Sequence, residues 1–186
     1  MTKSFNLTIS ILIIIVISPL LLITAILVKV TSKGPALYWS DRVGVNGKFF
    51  RMPKFRSMLI DTPDVATHLL YNPNSYLSPI GGFLRRSSLD ELPQLFSVLM
   101  GDMSFVGPRP ALFNQDGLIA LRAEKGVDKL LPGITGWAQV NGRDELSIPD
   151  KVALDVEYLK EQSFRFDMKI LGMTLFKVVR RDGVSH

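Results

Sequence analysis

From Leu7 to Val30 the chain is almost continuously apolar, broken by Thr8, Ser10, Ser18, Pro19 and Thr24. A run of that length crosses the hydrocarbon layer of a bilayer as one helix. It is too long for a cleaved signal peptide and carries no small-x-small cleavage site. Ser18-Pro19 stands near its middle, where proline removes a helical hydrogen bond and bends the helix and Ser18 can satisfy the freed backbone. Lys3 flanks one end, and Lys29 and Lys33 flank the other. The positive-inside rule therefore orients no spanning helix, but a segment that dips in and returns obeys it at both ends. On residues alone a bent spanning helix and a re-entrant one stand level.

Beyond Gly34-Pro35 the pattern shortens. Ala36 to Trp39 and Lys48 to Arg51 read as strands joined by the Val45-Asn46-Gly47 turn, a hairpin signal. Lys54 and Arg56 follow, spaced to face the same way if the strand continues, and a basic strand edge is the bland reading. Asp61 to Pro79, with Pro63, Pro73 and Pro79, predicts a long loop, read as a flap, in which His68 is an ordinary surface histidine. Next comes a helix starting near Leu89 or Asp90 and running through Leu95, Val98 and Leu99, with Pro93 in its first turn. Gln115 to Glu124 is helical and ends at Gly126. Leu131 to Arg143 reads as structured turns, with Trp137 as a packing anchor. Two helices close the chain, Asp150 to Gln162 and Asp167 to Arg181. The last carries a wide apolar stripe with basic flanks, which suits a membrane interface or an ordinary core equally. The fold class is α+β: a membrane-inserted N-terminal helix over 1–33, then a domain over 34–186 with a small hairpin or sheet and several helices.

Composition narrows the chemistry. A chain of 186 residues supports one real core. With 22 Lys+Arg against 17 Asp+Glu the net charge is +5, which suits a phosphate, a nucleotide or an acidic lipid surface. Cysteine is absent, so no disulfide or thiolate metal site exists, and the 2 histidines, His68 and His186, give a zinc site or a Ser-His-Asp triad little material.

The strongest candidate chemistry is the acid pair Asp90-Glu91. Arg85 and Arg86 precede it by about a turn, and Arg109 follows on Pro108-Arg109-Pro110. A helix N-terminus favours carboxylates and phosphates, guanidinium forks match phosphate oxygens, and magnesium is commonly held by one or two carboxylates with a substrate's phosphates. The bland reading is an N-cap acid beside an exposed one. Asp155 either pairs with a neighbouring base or orients a site arginine.

Four stretches carry a resemblance. They are Lys54-Phe55-Arg56-Ser57-Met58, Arg85 through Leu95, Gly101 through Pro110, and Pro132 through Arg143. Together they resemble the signature of the bacterial sugar transferase family, the monotopic phosphoglycosyl transferases, and in particular its small PglC-like members. The resemblance implies transfer of a sugar-1-phosphate from a UDP-sugar to a polyprenyl (undecaprenyl) phosphate with release of UMP, as an early membrane step of glycoconjugate synthesis. It implies Asp90 as nucleophile, forming an aspartyl-phosphosugar, and Glu91 as the ligand of Mg2+. Lys54, Arg56, Arg85 and Arg109 are implied around the phosphates; Arg143 is a candidate for holding the nucleotide diphosphate, and Asp155 is counted with the substrate-binding residues. The resemblance favours a re-entrant helix hairpin over residues 7–30, broken at Ser18-Pro19, with both ends on the cytoplasmic face of the bacterial inner membrane, and interfacial amphipathic helices near the C-terminus that help bring Asp90 to the lipid surface. The donor sugar it suggests is an N-acetylated amino sugar. No nucleic-acid partner is implied, and an oligomer is compatible with it. Ser40-Asp41-Arg42-Val43-Gly44 departs from the family, whose members commonly carry Gln before the Arg-x-Gly. The rival from another class is a non-catalytic, membrane-anchored basic module that binds acidic lipid or nucleic acid.

Overall fold

The computed structural model describes residues 3–63, 65, 70–142 and 145–180, with side chains to 177. His68, Arg143, Arg181 and His186, all named above, lie outside the described residues, as does part of the flap.

The apolar run forms one helix, α1 (Lys3–Thr31), of 29 residues, or about 43 Å at 1.5 Å per residue. It is long and apolar enough to cross a membrane by length and composition. Pro19 lies inside it and has no N–H to offer the Ile15 carbonyl four residues back. The Ser18 hydroxyl donates to that carbonyl instead, at 2.8 Å, as the sequence suggests. Its buried residues are Asn6, Ser10, Thr24 and Val28, three of them polar. Leu12, Ile15, Val16, Leu22, Ile23 and Val30 point outward, Val16 being 78% and Val30 79% exposed. A helix on a water-facing protein is arranged the other way round.

The turn chemistry forms the hairpin as expected. Strands β1 (Leu37–Val43) and β2 (Phe49–Phe55) pair antiparallel from Leu37↔Phe55 to Val43↔Phe49, and Asn46 takes the left-handed conformation at the turn, φ 53. Then follow α2 (Gly81–Arg86), a single 3-10 turn (Leu89–Glu91) and α3 (Gln94–Met100). This corrects the expected helix start. Pro93 cannot donate to the Leu89 carbonyl, which takes the Leu92 N–H at 3.3 Å instead. The chain therefore tightens into a 3-10 turn there, and the α-helix begins only at Gln94. The acid pair thus rides on its own turn rather than on the first turn of a longer helix.

The expected turn region hides a strand. β3 (Ser104–Val106) and β4 (Gly133–Thr135) pair in parallel, Ser104↔Gly133 and Val106↔Thr135. Backbones cross so closely beside them that a Cβ at Gly107 would overlap the Leu131 carbonyl oxygen, and one at Gly133 the Gly107 nitrogen. Helices α4 (Asp116–Glu124), α5 (Trp137–Val140), α6 (Ile148–Glu161) and α7 (Phe164–Arg180) complete the domain.

The main core joins Met52, Leu95, Met103, Phe105, Tyr158 and Ile170, and Ile9, Ile13, Ile14 and Ile17 of α1 pack on it. A second cluster joins Phe55 and Leu84 to Val28, with Leu21, Ala25 and Leu89 around it. Both halves of α1 are therefore fastened to the same domain. Trp137 is the packing anchor expected, its ring 5.0 Å from that of Phe166. On α7, Phe166 and Ile170 face the core while Leu175 and Phe176 are exposed.

Candidate active site

Three segments converge on the acid pair. β2 brings Lys54 inward, the 3-10 turn presents Asp90 and Glu91, and the segment after β3 carries Arg109 between two prolines. Glu91 Oε1 accepts from Lys54 Nζ at 2.8 Å and from Arg109 Nη2 at 3.0 Å. The turn is entered through Ser88 in the left-handed conformation, φ 55, a strained state for a residue with a Cβ. Leu89 anchors it on the Phe55, Leu84 and Val28 cluster, which sets the acid pair one residue from α1.

The two acids are tuned in opposite directions. Asp90 is 7% exposed, and burial pushes its pKa up to about 6; Lys54 and Arg85 pull against that rise while Glu91 adds to it. Burial presses Glu91 upward as well, but Lys54 and Arg109, by charge and by hydrogen bond, outweigh it and hold the carboxyl well below its usual range. Burial lowers the Lys54 ammonium, helped by Arg109 and Arg42 and opposed by Glu91. The result is one carboxylate whose charged form is favoured by two cations beside one whose pKa burial raises, an arrangement that assigns two carboxylates different tasks.

A cavity of about 770 Å³ opens over this group, within the size range of ligand clefts. Lys54, Arg56, Arg85 and Arg109 line it around the acids, and Gln139, Glu145 and Lys151 also contribute to its walls. Arg56 is steadied from the exit of α1, its Nε donating to Pro35 O at 3.0 Å. Five of the expected site residues besides Glu91 are thus gathered at one cavity: Lys54, Arg56, Arg85, Asp90 and Arg109.

Asp155 falls elsewhere. It is 1% exposed and its Oδ2 accepts from Arg122 Nε and Nη2 at 2.9 and 2.7 Å. The pairing with a base read from the sequence is present, and because that base, Arg122, also lines the cavity, it is compatible with the other alternative, orientation of a site arginine. Arg122 itself was not anticipated, since Leu121-Arg122-Ala123-Glu124-Lys125 reads as a solvated charged face. The available signal was on α6: Asp155 shares a stripe with Val152 and Tyr158, three residues to either side, and a carboxylate on an apolar stripe requires a buried partner. Arg42 was likewise missed as a structural donor; its Nη1 reaches Pro110 O at 3.1 Å.

The donor set suits one kind of metal. Among the described residues no group of three or more His, Cys, Asp or Glu forms a self-sufficient ligand cage. Two adjacent carboxylates in a cation-lined cavity fit an ion such as Mg2+ that draws its remaining oxygens from phosphates and water.

The residues gathered here, acids flanked by lysine and arginine in an open cleft, have a chemistry that suits phosphate. The model of the bacterial sugar transferase family matches residues 1–181, and the chain belongs to that family. It is 42% identical over 184 residues to an undecaprenyl-phosphate glucose phosphotransferase of Komagataeibacter xylinus, an overlap of 93% of this chain and 35% of that protein. To a UDP-glucose:undecaprenyl-phosphate glucose-1-phosphate transferase of Escherichia coli K12 it is 40% identical over 183 residues, covering 94% and 39%. To the uncharacterized sugar transferase EpsL of Bacillus subtilis it is 40% identical over 187 residues, covering 99% and 90%. The chain therefore spans well under half the length of the first two and nearly all of the third.

Proposed function

We propose that the protein is a sugar-phosphate transferase that moves a sugar-1-phosphate from a UDP-sugar to undecaprenyl or a related polyprenyl phosphate, releasing UMP. The observation that carries the reading is the acid pair itself. Asp90 is held beside a cation-saturated Glu91 in a cleft walled by Lys54, Arg85 and Arg109, in a chain whose relatives bear the names of such transferases.

An Asp90 carboxylate oxygen attacks the sugar-proximal phosphorus, forming an Asp–O–P bond as the bond from that phosphorus to the UMP oxygen breaks. A phosphate oxygen of the lipid then attacks the same phosphorus, and the aspartyl carboxylate leaves unchanged. Two steps separate two charged substrates of opposite solubility, the general advantage of a covalent route. Glu91, with Asp90 beside it, would hold Mg2+, which when bound neutralises the diphosphate and the departing UMP. Lys54, Arg85 and Arg109 orient phosphate oxygens and stabilise charge that builds on them. The nucleophile must be ionised, and the pull of Lys54 and Arg85 on Asp90 acts in that direction.

The same reading places the domain at the cytoplasmic face of the bacterial inner membrane, with α1 as a re-entrant segment. A polyprenyl chain leaves lipid at a cost of about 0.8 kcal/mol per methylene, so Asp90 must reach the interface. Two features support this. α1 turns apolar side chains outward and polar ones inward, and both of its halves pack on one domain, which a helix with its ends on opposite sides of a bilayer does not do. Relatives are named as undecaprenyl-phosphate glucose and galactose phosphotransferases, and an N-acetylated amino sugar is the third class of donor to test.

The test is UMP release by the purified chain in lipid nanodiscs, given undecaprenyl phosphate and a panel of UDP-glucose, UDP-galactose and their N-acetylated amino counterparts. Turnover with one donor, abolished by Asp90→Asn without loss of fold or membrane association, is expected. Radiolabelled sugar-phosphate retained on the protein without lipid acceptor supports the covalent route, and its absence in an active enzyme favours a single displacement. Graded loss of lipid binding with no turnover by any donor would establish the non-catalytic module instead.

A further inference from the structure

The segment that carries Arg109 has an unusual shortage. Pro108 and Pro110 possess no N–H, so two of the three residues cannot tie themselves down by donating. Their carbonyls are the handles that remain, and all three carbonyls of the segment are held from outside. Gly133 N donates to Pro108 O at 2.9 Å, Arg122 Nη1 to Arg109 O at 2.8 Å, and Arg42 Nη1 to Pro110 O at 3.1 Å. Two of the three donors are guanidinium groups, each fixed by a further bond. Arg42 Nε reaches Ser40 Oγ at 3.0 Å, and Arg122 is clamped on Asp155 through two nitrogens.

We infer that Arg122, braced by Asp155 of α6, is a positioning residue that aims the Arg109 guanidinium at Glu91 and the diphosphate by holding the Arg109 carbonyl. One planar guanidinium satisfies a carboxylate and a carbonyl at the same time, which an ammonium group cannot do with comparable geometry. The brace continues into the core. Tyr158, one turn beyond Asp155 on α6, bonds Asp167 Oδ1 at 2.7 Å and lies 3.4 Å from Val106 O, just upstream of the same segment. An ion pair this deeply buried contributes little net stability over an apolar pair of the same shape, so its value here is geometric. A misdirected phosphate clamp costs rate steeply, because positioning of the reacting phosphate depends on small displacements.

This inference rests on the proposed transfer reaction, through the role given to Arg109, and its test separates the two. Binding of UDP with Mg2+ and UMP release are measured for the full chain in nanodiscs, in a cycle of Arg122→Lys, Arg109→Ala and the double variant. Arg122→Lys keeps a cation against Asp155 and removes the planar link to Arg109 O. It should weaken UDP binding and lower turnover about tenfold in the wild-type background, yet less than twofold where Arg109 is already alanine. Equal factors in both backgrounds, or no effect in the first, overturn the inference. Hydrogen exchange supplies a readout independent of turnover. Faster exchange confined to residues 105–115 supports positioning, and faster exchange throughout the domain shows a merely structural role. Should Arg122→Lys not fold, the same cycle with Arg42→Lys reads the segment from Pro110 O. A wild-type chain that neither binds UDP nor releases UMP defeats the proposed reaction, while the exchange pattern still decides the brace.

Discussion

Glu91 and Asp155 are both carboxylates engaged by arginine, and both are linked to the Pro108-Arg109-Pro110 segment, Glu91 through the Arg109 side chain and Asp155 through Arg122 and the Arg109 backbone. At the cleft, the side chains of Lys54, Glu91 and Arg109 are 16, 21 and 27% exposed, and both cations share one oxygen. In the brace, Arg122 and Asp155 are 9 and 2% exposed. The open cluster can exchange its partners for phosphate and metal, since water and ligand both reach it. The brace is far less exposed: Arg122 reaches the cavity wall with a small part of its side chain and Asp155 behind it does not line the cavity, and the difference separates a group that reacts with substrate from a group that keeps the reacting group in place.

Removing one partner from the closed pair should have the largest effect on stability. Asp155→Ala strands a buried guanidinium and is expected to cost about 3–5 kcal/mol, read as a lowered denaturation midpoint in nanodiscs or mild detergent. A loss near zero would show that water enters behind the loop and would erase the contrast between the two clusters.

Asp90 sharpens the contrast from the cleft side, because there function and stability should oppose each other. Its pKa is raised from 3.8 to about 6, so the folded protein favours the protonated acid. The associated stability is fully present below pH 3.8 and is lost as the pH rises through 6. At pH 8 the ionised Asp90 then costs about 3 kcal/mol, at 1.36 kcal/mol per pK unit. Asp90→Asn should abolish turnover and yet unfold later than the parent at pH 8 in metal-free buffer. The gap should narrow as the pH falls through 6 and close near pH 4. A gap that is constant across this range, or of opposite sign, contradicts the tuning described here. In the active protein, kcat/KM should rise with pH as Asp90 ionises.

Glu91→Gln tests the open cluster directly. Lys54 and Arg109 lose their shared anion, but solvent reaches all three groups and offsets much of the loss, so the stability cost should be about 1–2 kcal/mol. That is well below the cost of Asp155→Ala, and equal costs would break the comparison. Two cations released toward the cleft should also bind inorganic phosphate more tightly, measurable by calorimetry.

What could be read from the residues divides along the same line. The hairpin was legible because Asn46-Gly47 encodes its turn locally, and the outward apolar face of α1 because hydropathy reports solvent directly. Lys54, Arg85, Asp90 and Arg109 were legible because their motifs are contiguous. The brace was not, since Arg122 and Asp155 meet across 33 positions of sequence and nothing near Arg122 distinguishes it from a solvated helix charge. The parallel pair β3–β4 escaped because three-residue strands carry no periodicity, and glycines that permit close backbone crossing look like ordinary turn glycines. The late start of α3 depended on one missing N–H at Pro93, whose effect shows only when the carbonyl it fails to serve is traced.

The smallest effect expected concerns Ser88, where strain adjoins the nucleophile. At φ 55 and ψ 17 a residue with a Cβ carries about 1–2 kcal/mol that glycine does not. Glycine in turn gains about 0.4–1 kcal/mol of unfolded-state freedom. Ser88→Gly should therefore be more stable than the parent by up to about 1 kcal/mol in a denaturant titration, while Ser88→Ala, which retains the Cβ, should show no gain. If the strain serves to aim the acid turn, the glycine variant should lose turnover a few-fold because its backbone can relax, and the alanine variant should lose less. A stabilised glycine variant with full activity would show that the left-handed residue is tolerated there rather than used. The acid turn would then owe its geometry to the Leu89 anchor and to the ion pairs with Lys54 and Arg109 rather than to strain at Ser88.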